Sequence, residues 1–84
     1  MIDEYLVLIK IGCPYSENAI SLLKEKKQKH HFVDYFKLSK KMKDNVNELI
    51  KSLNKNKEYN YYPKIFKNEE FIGGFDKLSK ILTK

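Results

Sequence analysis

The stretch Ile11-Gly12-Cys13-Pro14-Tyr15-Ser16-Glu17-Asn18-Ala19 carries the only cysteine of this 84-residue chain. The run before it, residues 5–9, is continuously apolar, which is typical of a strand covered on both faces in an α/β sheet. Gly12 permits a sharp turn, and Pro14 suits the first position of a helix because an N–H has no helical partner there. The stretch therefore predicts a strand-to-helix corner with Cys13 at the N-terminus of the helix.

The rest of the chain continues to alternate between strand and helix patterns. A second strand, parallel to the first, is predicted from Phe32, Val33, Tyr35 and Phe36. A helix over about residues 40–54 has an apolar stripe made of Met42, Val46, Leu49, Ile50 and Leu53. The last elements are a strand at 64–67, a turn at 68–70, a strand at 71–72, a bend at 73–74 and a final helix. The order β-α-β-α-β-β-α predicts an α/β fold with a four-stranded mixed sheet flanked by helices.

Composition narrows the classes of function. Residues 1–84 are expected to form one domain, because the chain has room for only one modest core. All 17 basic residues are lysine, and the net charge is +6. This charge reflects either biased residue usage or attraction for anionic ligands. Without arginine or an interleaved aromatic strand motif, nucleic-acid binding is not expected.

Cysteine usage and hydropathy indicate where such a protein works. A secreted domain of this size would normally contain several cysteines, so a reducing, cytoplasmic compartment is expected. No signal peptide or membrane-length apolar segment is visible, and no membrane partner is expected. A single cysteine without spaced histidine partners predicts no metal site within the chain.

Cys13 is the strongest candidate for chemistry. The N–H groups and the dipole of a helix N-terminus stabilise a thiolate, which is the reactive form of cysteine. The alternative is a buried and inert cysteine, but Cys13 stands in a loop end between glycine and proline. Ser16 lies one turn further on, where it is either an ordinary polar residue or a hydrogen-bond donor to the thiolate.

Three further positions have both a structural and a functional interpretation. Pro63 either begins a strand with an ordinary trans bond or, in cis, exposes the main chain of Tyr62 to an extended peptide. Asp76 either compensates the dipole of the last helix or binds a ligand ammonium. Lys10 is either one surface lysine among many or a positive charge beside the thiol.

Taken together, these residues resemble the glutaredoxins, a branch of the thioredoxin-fold family. Residues 10–16 resemble the active-site segment with its Cys-Pro-Tyr-Cys motif, with Ser16 replacing the second cysteine. Tyr62-Pro63 falls where the family has Val followed by a cis-proline. Residues 72–76, Ile-Gly-Gly-Phe-Asp, resemble the element before the last helix. The resemblance covers nearly the whole chain, although Tyr61 replaces the usual threonine.

The resemblance implies a glutathione-dependent thiol–disulfide oxidoreductase that works by a monothiol mechanism. Cys13 would be the nucleophile, and glutathione the co-substrate. The glutathione-binding residues implied by position are Lys10, Tyr15, Tyr62, Pro63, Gly74, Phe75 and Asp76. The implied partners are glutathione and either glutathionylated proteins or small mixed disulfides, and the chain is expected to be a monomer.

Two alternatives stay open from the sequence. Glutaredoxins with a Cys-Gly-Phe-Ser motif carry a [2Fe-2S] cluster between two subunits, and one thiolate per chain could still ligate a shared cluster. This chain has Pro14-Tyr15 in place of Gly-Phe and lacks the insertion of that class before Cys13. The other alternative is a non-catalytic assembly protein that keeps the fold without the chemistry.

Overall fold

The sheet is built around two central strands, and the helices pack on its faces. The computed structural model describes residues 3–83. Its strands are β1 (Glu4–Ile9), β2 (Lys29–Asp34), β3 (Lys64–Lys67) and β4 (Glu70–Gly73), and its helices are α1 (Pro14–Glu25), α2 (Lys40–Leu53) and α3 (Phe75–Leu82). The strand order is β2-β1-β3-β4. β2 runs parallel to β1, whereas β1 with β3 and β3 with β4 are antiparallel pairs. The predicted mixed four-stranded α/β fold is confirmed.

Two hydrophobic clusters cover the two faces of the sheet. The cluster beneath α1 and α3 contains Tyr5, Val7, Ala19, Leu23, Ile65 and Leu78. The cluster beneath α2 contains Leu8, Tyr35, Ile50 and Phe66. Neighbouring strand residues point to opposite faces, so Val7 and Leu8 enter different clusters. Helices therefore flank the sheet on both sides, as the sequence predicts.

The second strand ends earlier than predicted. β2 ends at Asp34, and Tyr35 and Phe36 belong to a 3-10 turn (Tyr35–Lys37) instead of the strand. The Asp34 carboxylate accepts a hydrogen bond from the N–H of Phe36 at 3.0 Å. Such a local side-chain acceptor competes with strand pairing and turns the chain. Tyr35 consequently packs into the core beneath α2.

The face beneath α2 is covered less completely than the apolar pattern predicts. Of the predicted helix stripe only Ile50 is fully buried, whereas Met42, Leu49 and Leu53 are about half exposed. Leu6 is 39% exposed, so β1 is not covered on both faces along its whole length. One helix covers this face while two cover the other, which accounts for the difference. The boundaries of β1, α2, β3 and β4 otherwise agree with the prediction to within one residue.

The helices are too short or too polar for a membrane-spanning segment. Between residues 3 and 83, none has both the length and the apolar character needed to cross a bilayer.

Candidate active site

Cys13 lies at the N-terminus of α1, where the chain turns out of β1. Its main-chain N–H donates to the Lys10 carbonyl at 3.1 Å, which closes a tight turn. Gly12 has a φ of +86°, a left-handed conformation that glycine adopts without strain. Pro14 begins the helix, and Cys13 itself is the N-cap residue. The structure thus contains the corner that the sequence predicts, with the thiol partly exposed.

Main-chain donors at this corner lower the pKa of the Cys13 thiol. The N–H of Ser16 has the largest effect, and partial burial acts against it. The N–H of Tyr15, the Ser16 hydroxyl and the charge of Lys10 lower the pKa further. These groups direct hydrogen-bond donors or positive charge at the sulfur, so they stabilise the thiolate relative to the thiol. At a given pH, a larger fraction of Cys13 is therefore the nucleophilic thiolate than for an ordinary cysteine.

Ser16 is held in place from a second direction. It is only 1% exposed, and its hydroxyl oxygen accepts a hydrogen bond from the main-chain N–H of Lys10 at 3.2 Å. The hydroxyl proton stays available to the sulfur of Cys13. Ser16 thus joins the end of β1 to the first turn of α1, in addition to stabilising the thiolate.

The segment before β3 faces the thiol. The peptide bond between Tyr62 and Pro63 is cis, and the Tyr62 carbonyl lies 3.9 Å from the Cys13 sulfur, within reach of a weak S–H donor. Among the backbone–backbone hydrogen bonds of residues 3–83, none uses the N–H or the carbonyl of Tyr62. A stretch of main chain without backbone–backbone partners therefore lies beside the candidate nucleophile.

The N-terminus of α3 forms the next part of the site. Gly74 is its N-cap, Phe75 its first residue, and Asp76 an acidic residue of its first turn. The rings of Tyr15 and Phe75 lie 6.4 Å apart, which links the first turns of α1 and α3. A Cβ at position 74 would lie 2.5 Å from the Tyr59 hydroxyl, so any larger residue there would displace the Tyr59 side chain.

A groove of about 500 Å³ joins the first turn of α1, the segment before β3 and the N-terminus of α3. Cys13 does not line the groove itself but lies beside it, next to Tyr62. Its lining includes Tyr15, Tyr59, Tyr61, Tyr62, Gly74, Phe75 and Asp76. The structure therefore brings together five residues proposed from the sequence: Tyr15, Tyr62, Gly74, Phe75 and Asp76. Pro63 is buried behind the groove wall, and Lys10 lies outside the groove, exposed on the corner that carries Cys13.

Sequence reasoning missed two residues of this site. Tyr59 packs its ring edge-on against Tyr61 and Phe71, at centroid distances of 5.5 and 5.1 Å. Lys64, the residue that follows Pro63 in the chain, is buried. The only sequence signal for either residue is the cluster of tyrosines at 59–62 just before a strand that begins with lysine.

Metal-ligating side chains do not cluster within the described part of the chain. In residues 3–83, no three histidine, cysteine, aspartate or glutamate side chains come close enough to hold one metal ion.

Comparisons with known proteins place this geometry among known folds. No protein-family model matches the sequence, and no curated protein matches it significantly. Among solved structures, the chain is similar to glutaredoxin 1 from Francisella tularensis complexed with cacodylate, with 22% identity and a TM-score of 0.62 over 98% of this chain and 99% of that one. It is also similar to a dithiolic glutaredoxin from Trypanosoma brucei brucei, with 26% identity and a TM-score of 0.72 over 92% and 74% of the two chains.

A third similar structure is methanoredoxin from Methanosarcina acetivorans, with 17% identity and a TM-score of 0.69 over 96% of this chain and 85% of that one. All three similarities extend over most of both chains. The chain therefore has the glutaredoxin form of the thioredoxin fold, as the resemblance in sequence implies. The trypanosomal protein is described as dithiolic, whereas this chain has a single cysteine.

Proposed function

We propose that this protein is a glutathione-dependent thiol–disulfide oxidoreductase that reduces glutathione mixed disulfides with Cys13 alone. The observation that carries the proposal is the position of Cys13. Its pKa is lowered by main-chain donors of α1, and it faces the main chain of Tyr62, which has no backbone–backbone hydrogen bond. A favoured thiolate beside an open peptide-binding edge is suited to disulfide exchange with a peptide-like thiol.

The first step transfers the glutathionyl group. The Cys13 thiolate attacks the glutathione sulfur of a mixed disulfide, forming a new S–S bond as the old one breaks. The substrate thiolate leaves and takes a proton from solvent. Cys13 is then glutathionylated, and the substrate is reduced.

The second step restores the enzyme. A second glutathione, as the thiolate, attacks the glutathione sulfur bound to Cys13, and oxidised glutathione leaves while the Cys13 thiolate is regenerated. The position that would carry an internal resolving thiol is Ser16, whose hydroxyl cannot perform this exchange. The resolving thiol must therefore come from solution.

The groove supplies recognition of the glutathione moiety. The Tyr62 main chain would pair with the backbone of the glutathione cysteine, held in place by Pro63. The α3 N-terminus, with the N–H of Phe75 after Gly74, would bind the γ-glutamyl carboxylate, and Asp76 its ammonium. Lys10 would attract the glycine carboxylate from the corner, while the Tyr15 ring lines the groove.

The decisive test is glutathionylation of the folded protein. We expect oxidised glutathione at neutral pH to give an adduct of one glutathione per chain, and reduced glutathione to remove it. Intact-mass spectrometry measures both steps, and Cys13→Ser is the matched control that should give no adduct. A folded wild-type protein that forms no adduct would contradict the proposed function.

The groove is tested by Asp76→Ala. Loss of the carboxylate should raise the KM for a glutathione mixed disulfide by about tenfold, equivalent to ~1.4 kcal/mol, because one charged contact to the ligand is lost. The rate at which iodoacetamide alkylates Cys13 should not change. Asp44→Ala on α2, a carboxylate that does not line the groove, is the control. An unchanged KM would refute the assigned groove.

A further inference from the structure

Lys64 is a buried cation that the proposed mechanism does not use. It is 1% exposed, and it is the only charged side chain between residues 3 and 83 that is buried. Lysine is almost never fully buried unless its ammonium is paired. No carboxylate of the described residues forms an ion pair with it; the ion pairs of this part of the chain involve Lys29 and Lys67.

The partners of the Lys64 ammonium are carbonyl oxygens and aromatic rings. It donates hydrogen bonds to the main-chain carbonyls of Tyr59 and Tyr61, the second at 3.3 Å. It also lies 4.5 Å from the ring centroid of Tyr62, and 5.4 and 5.5 Å from those of Tyr59 and Tyr35. Carbonyl acceptors and ring faces both stabilise an ammonium that has lost its water.

These contacts hold the main chain of a segment whose other contacts are made by side chains, since the rings of Tyr59 and Tyr62 pack against the core beneath α2. Residues 54–63 connect α2 to β3, and after a turn at 54–56 this connection has no regular secondary structure. Within the described chain, no backbone–backbone hydrogen bond outside the helices and strands involves residues 58–62. The two carbonyl acceptors of Lys64 lie within this segment, so one side chain from β3 replaces the main-chain bonds that the segment lacks.

The same segment forms one wall of the groove beside Cys13. Tyr59, Tyr61 and Tyr62 all line it or flank the thiol. The Tyr59 hydroxyl lies against the Gly74 position at the N-terminus of α3. The position of this wall relative to the thiol therefore depends on how the segment is held.

We propose that Lys64 is a positioning residue for the glutathione-binding groove: its ammonium clamps the carbonyls of Tyr59 and Tyr61 and so presents the main chain of Tyr62 to the ligand. The inference rests on the proposed function for the identity of the ligand. It goes beyond that function by assigning the shape of the groove to a side chain that touches neither the ligand nor Cys13. A preformed wall favours binding because the ligand need not order the segment itself.

The test compares Lys64→Met with Lys57→Met in the full chain. Methionine is unbranched like lysine and one atom shorter, but it has no donor and no charge. Lys57 is an exposed lysine of the same connection. For Lys64→Met we expect the KM for a glutathione mixed disulfide to rise by about tenfold, with kcat within about twofold. The pH profile of Cys13 alkylation should not move, because Lys64 is not among the groups that shift the thiol.

A second readout does not depend on turnover. The NMR order parameters of the Tyr61 and Tyr62 amides should fall from the rigid range, about 0.85, to below about 0.6 in Lys64→Met, and should not change in Lys57→Met. If the wild type fails to turn over glutathione substrates, the proposed function fails, and the order parameters alone judge the clamp. Unchanged order parameters, or an unchanged KM in an active folded variant, overturn the inference. In Lys64→Met, a lower kcat and a slower alkylation of Cys13 at an unchanged KM would also overturn the inference. Such a result would mean that Lys64 acts on the thiol and not on the groove.

The wild type provides the test if Lys64→Met does not fold. NMR of the lysine side-chain ammonium groups should show Lys64 protons that exchange slowly with water, and methylene protons shifted upfield by the three rings. Binding of unreactive S-methylglutathione should shift the Lys64 signal and leave that of Lys57 in place. A Lys64 ammonium that exchanges as fast as that of Lys57 would overturn the inference.

Discussion

Cys13 and Lys64 both lie close to Tyr62, and their pKa values are lowered for opposite reasons. At Cys13, main-chain donors stabilise the charged thiolate, so the lower pKa means more of the reactive ion. At Lys64, burial disfavours the charged ammonium and lowers the pKa to about 8. The same direction of shift thus favours the ion at an exposed helix end and disfavours it in a core.

The difference shows how the two charges act. The Cys13 sulfur is partly exposed and can meet a reactant, while the groups that shift it come from its own turn and from Lys10. The Lys64 ammonium is enclosed by three tyrosine rings and two carbonyls. It is suited to holding structure, and at pH 7 it stays largely charged. The Cys13 corner is therefore suited to reaction, whereas Lys64 is suited to holding the segment beside it.

The largest expected effect comes from Ser16→Cys. Residues three apart at the start of a helix are separated by a distance compatible with a disulfide. Oxidised glutathione should then yield an intramolecular disulfide in place of the stable one-glutathione adduct of the wild type. Intact mass with a free-thiol count measures the change.

The control for this prediction is Ser21→Cys, which adds an exposed thiol on α1 more than two turns from Cys13. It should form glutathione adducts and no intramolecular bond. A stable adduct on Ser16→Cys would show that the first turn of α1 does not present position 16 to the thiol.

The second expected effect is a pH-dependent stability that comes from Lys64. A lysine with a pKa of about 8 when folded and roughly 10.4 when unfolded binds fewer protons in the folded state between these values. The free energy of unfolding should therefore rise with pH, by about 2 kcal/mol between about pH 7.5 and 9.5. Below about pH 7 Lys64 is charged in both the folded and the unfolded state, so it gives no change of stability with pH there.

Urea unfolding at several pH values measures this rise, and Lys64→Met should lose it while Lys57→Met keeps it. The difference between variants cancels the contribution of Cys13, whose pKa is also lowered in the folded protein. Burial raises the pKa of Tyr59 and Tyr62, so tyrosine ionisation opposes the trend only near pH 10 and above. Parallel pH curves for the wild type and Lys64→Met would mean that Lys64 is not desolvated.

The smallest expected effect comes from Lys10→Gln. Lys10 is exposed, and its charge is the weakest of the influences that lower the pKa of Cys13. The alkylation rate at pH 7 should fall by about twofold, and added salt should reduce the difference because exposed charges are screened. Lys24→Gln, at the far end of α1, is the control. A larger, salt-independent loss would mean that Lys10 acts through more than its charge.

Much of the fold and the reactive half of the site could be predicted from the sequence. The apolar run at 5–9, Gly12 and Pro14 are local signals, and the chemistry of a helix N-terminus depends on residues one turn apart. That is why the corner and the lowered pKa of Cys13 follow from neighbours in the chain. The exit of Tyr35 from the second strand was missed because the Asp34 side chain acts against the strand propensity of the residues after it.

The supporting half of the site was decided by the tertiary structure. Lys64 is the first residue of β3 and follows Pro63. The sequence of this strand, Lys-Ile-Phe-Lys, does not show which of its faces is buried. Its enclosure requires the 3-10 turn at Tyr35, the tyrosines at 59–62 and the cover of α2 to meet in one place. The contact between Tyr59 and Gly74 likewise joins residues that the sequence does not relate. The sequence by itself thus determined where a thiolate forms, because that depends on one turn of helix, whereas the groove beside it depends on long-range packing.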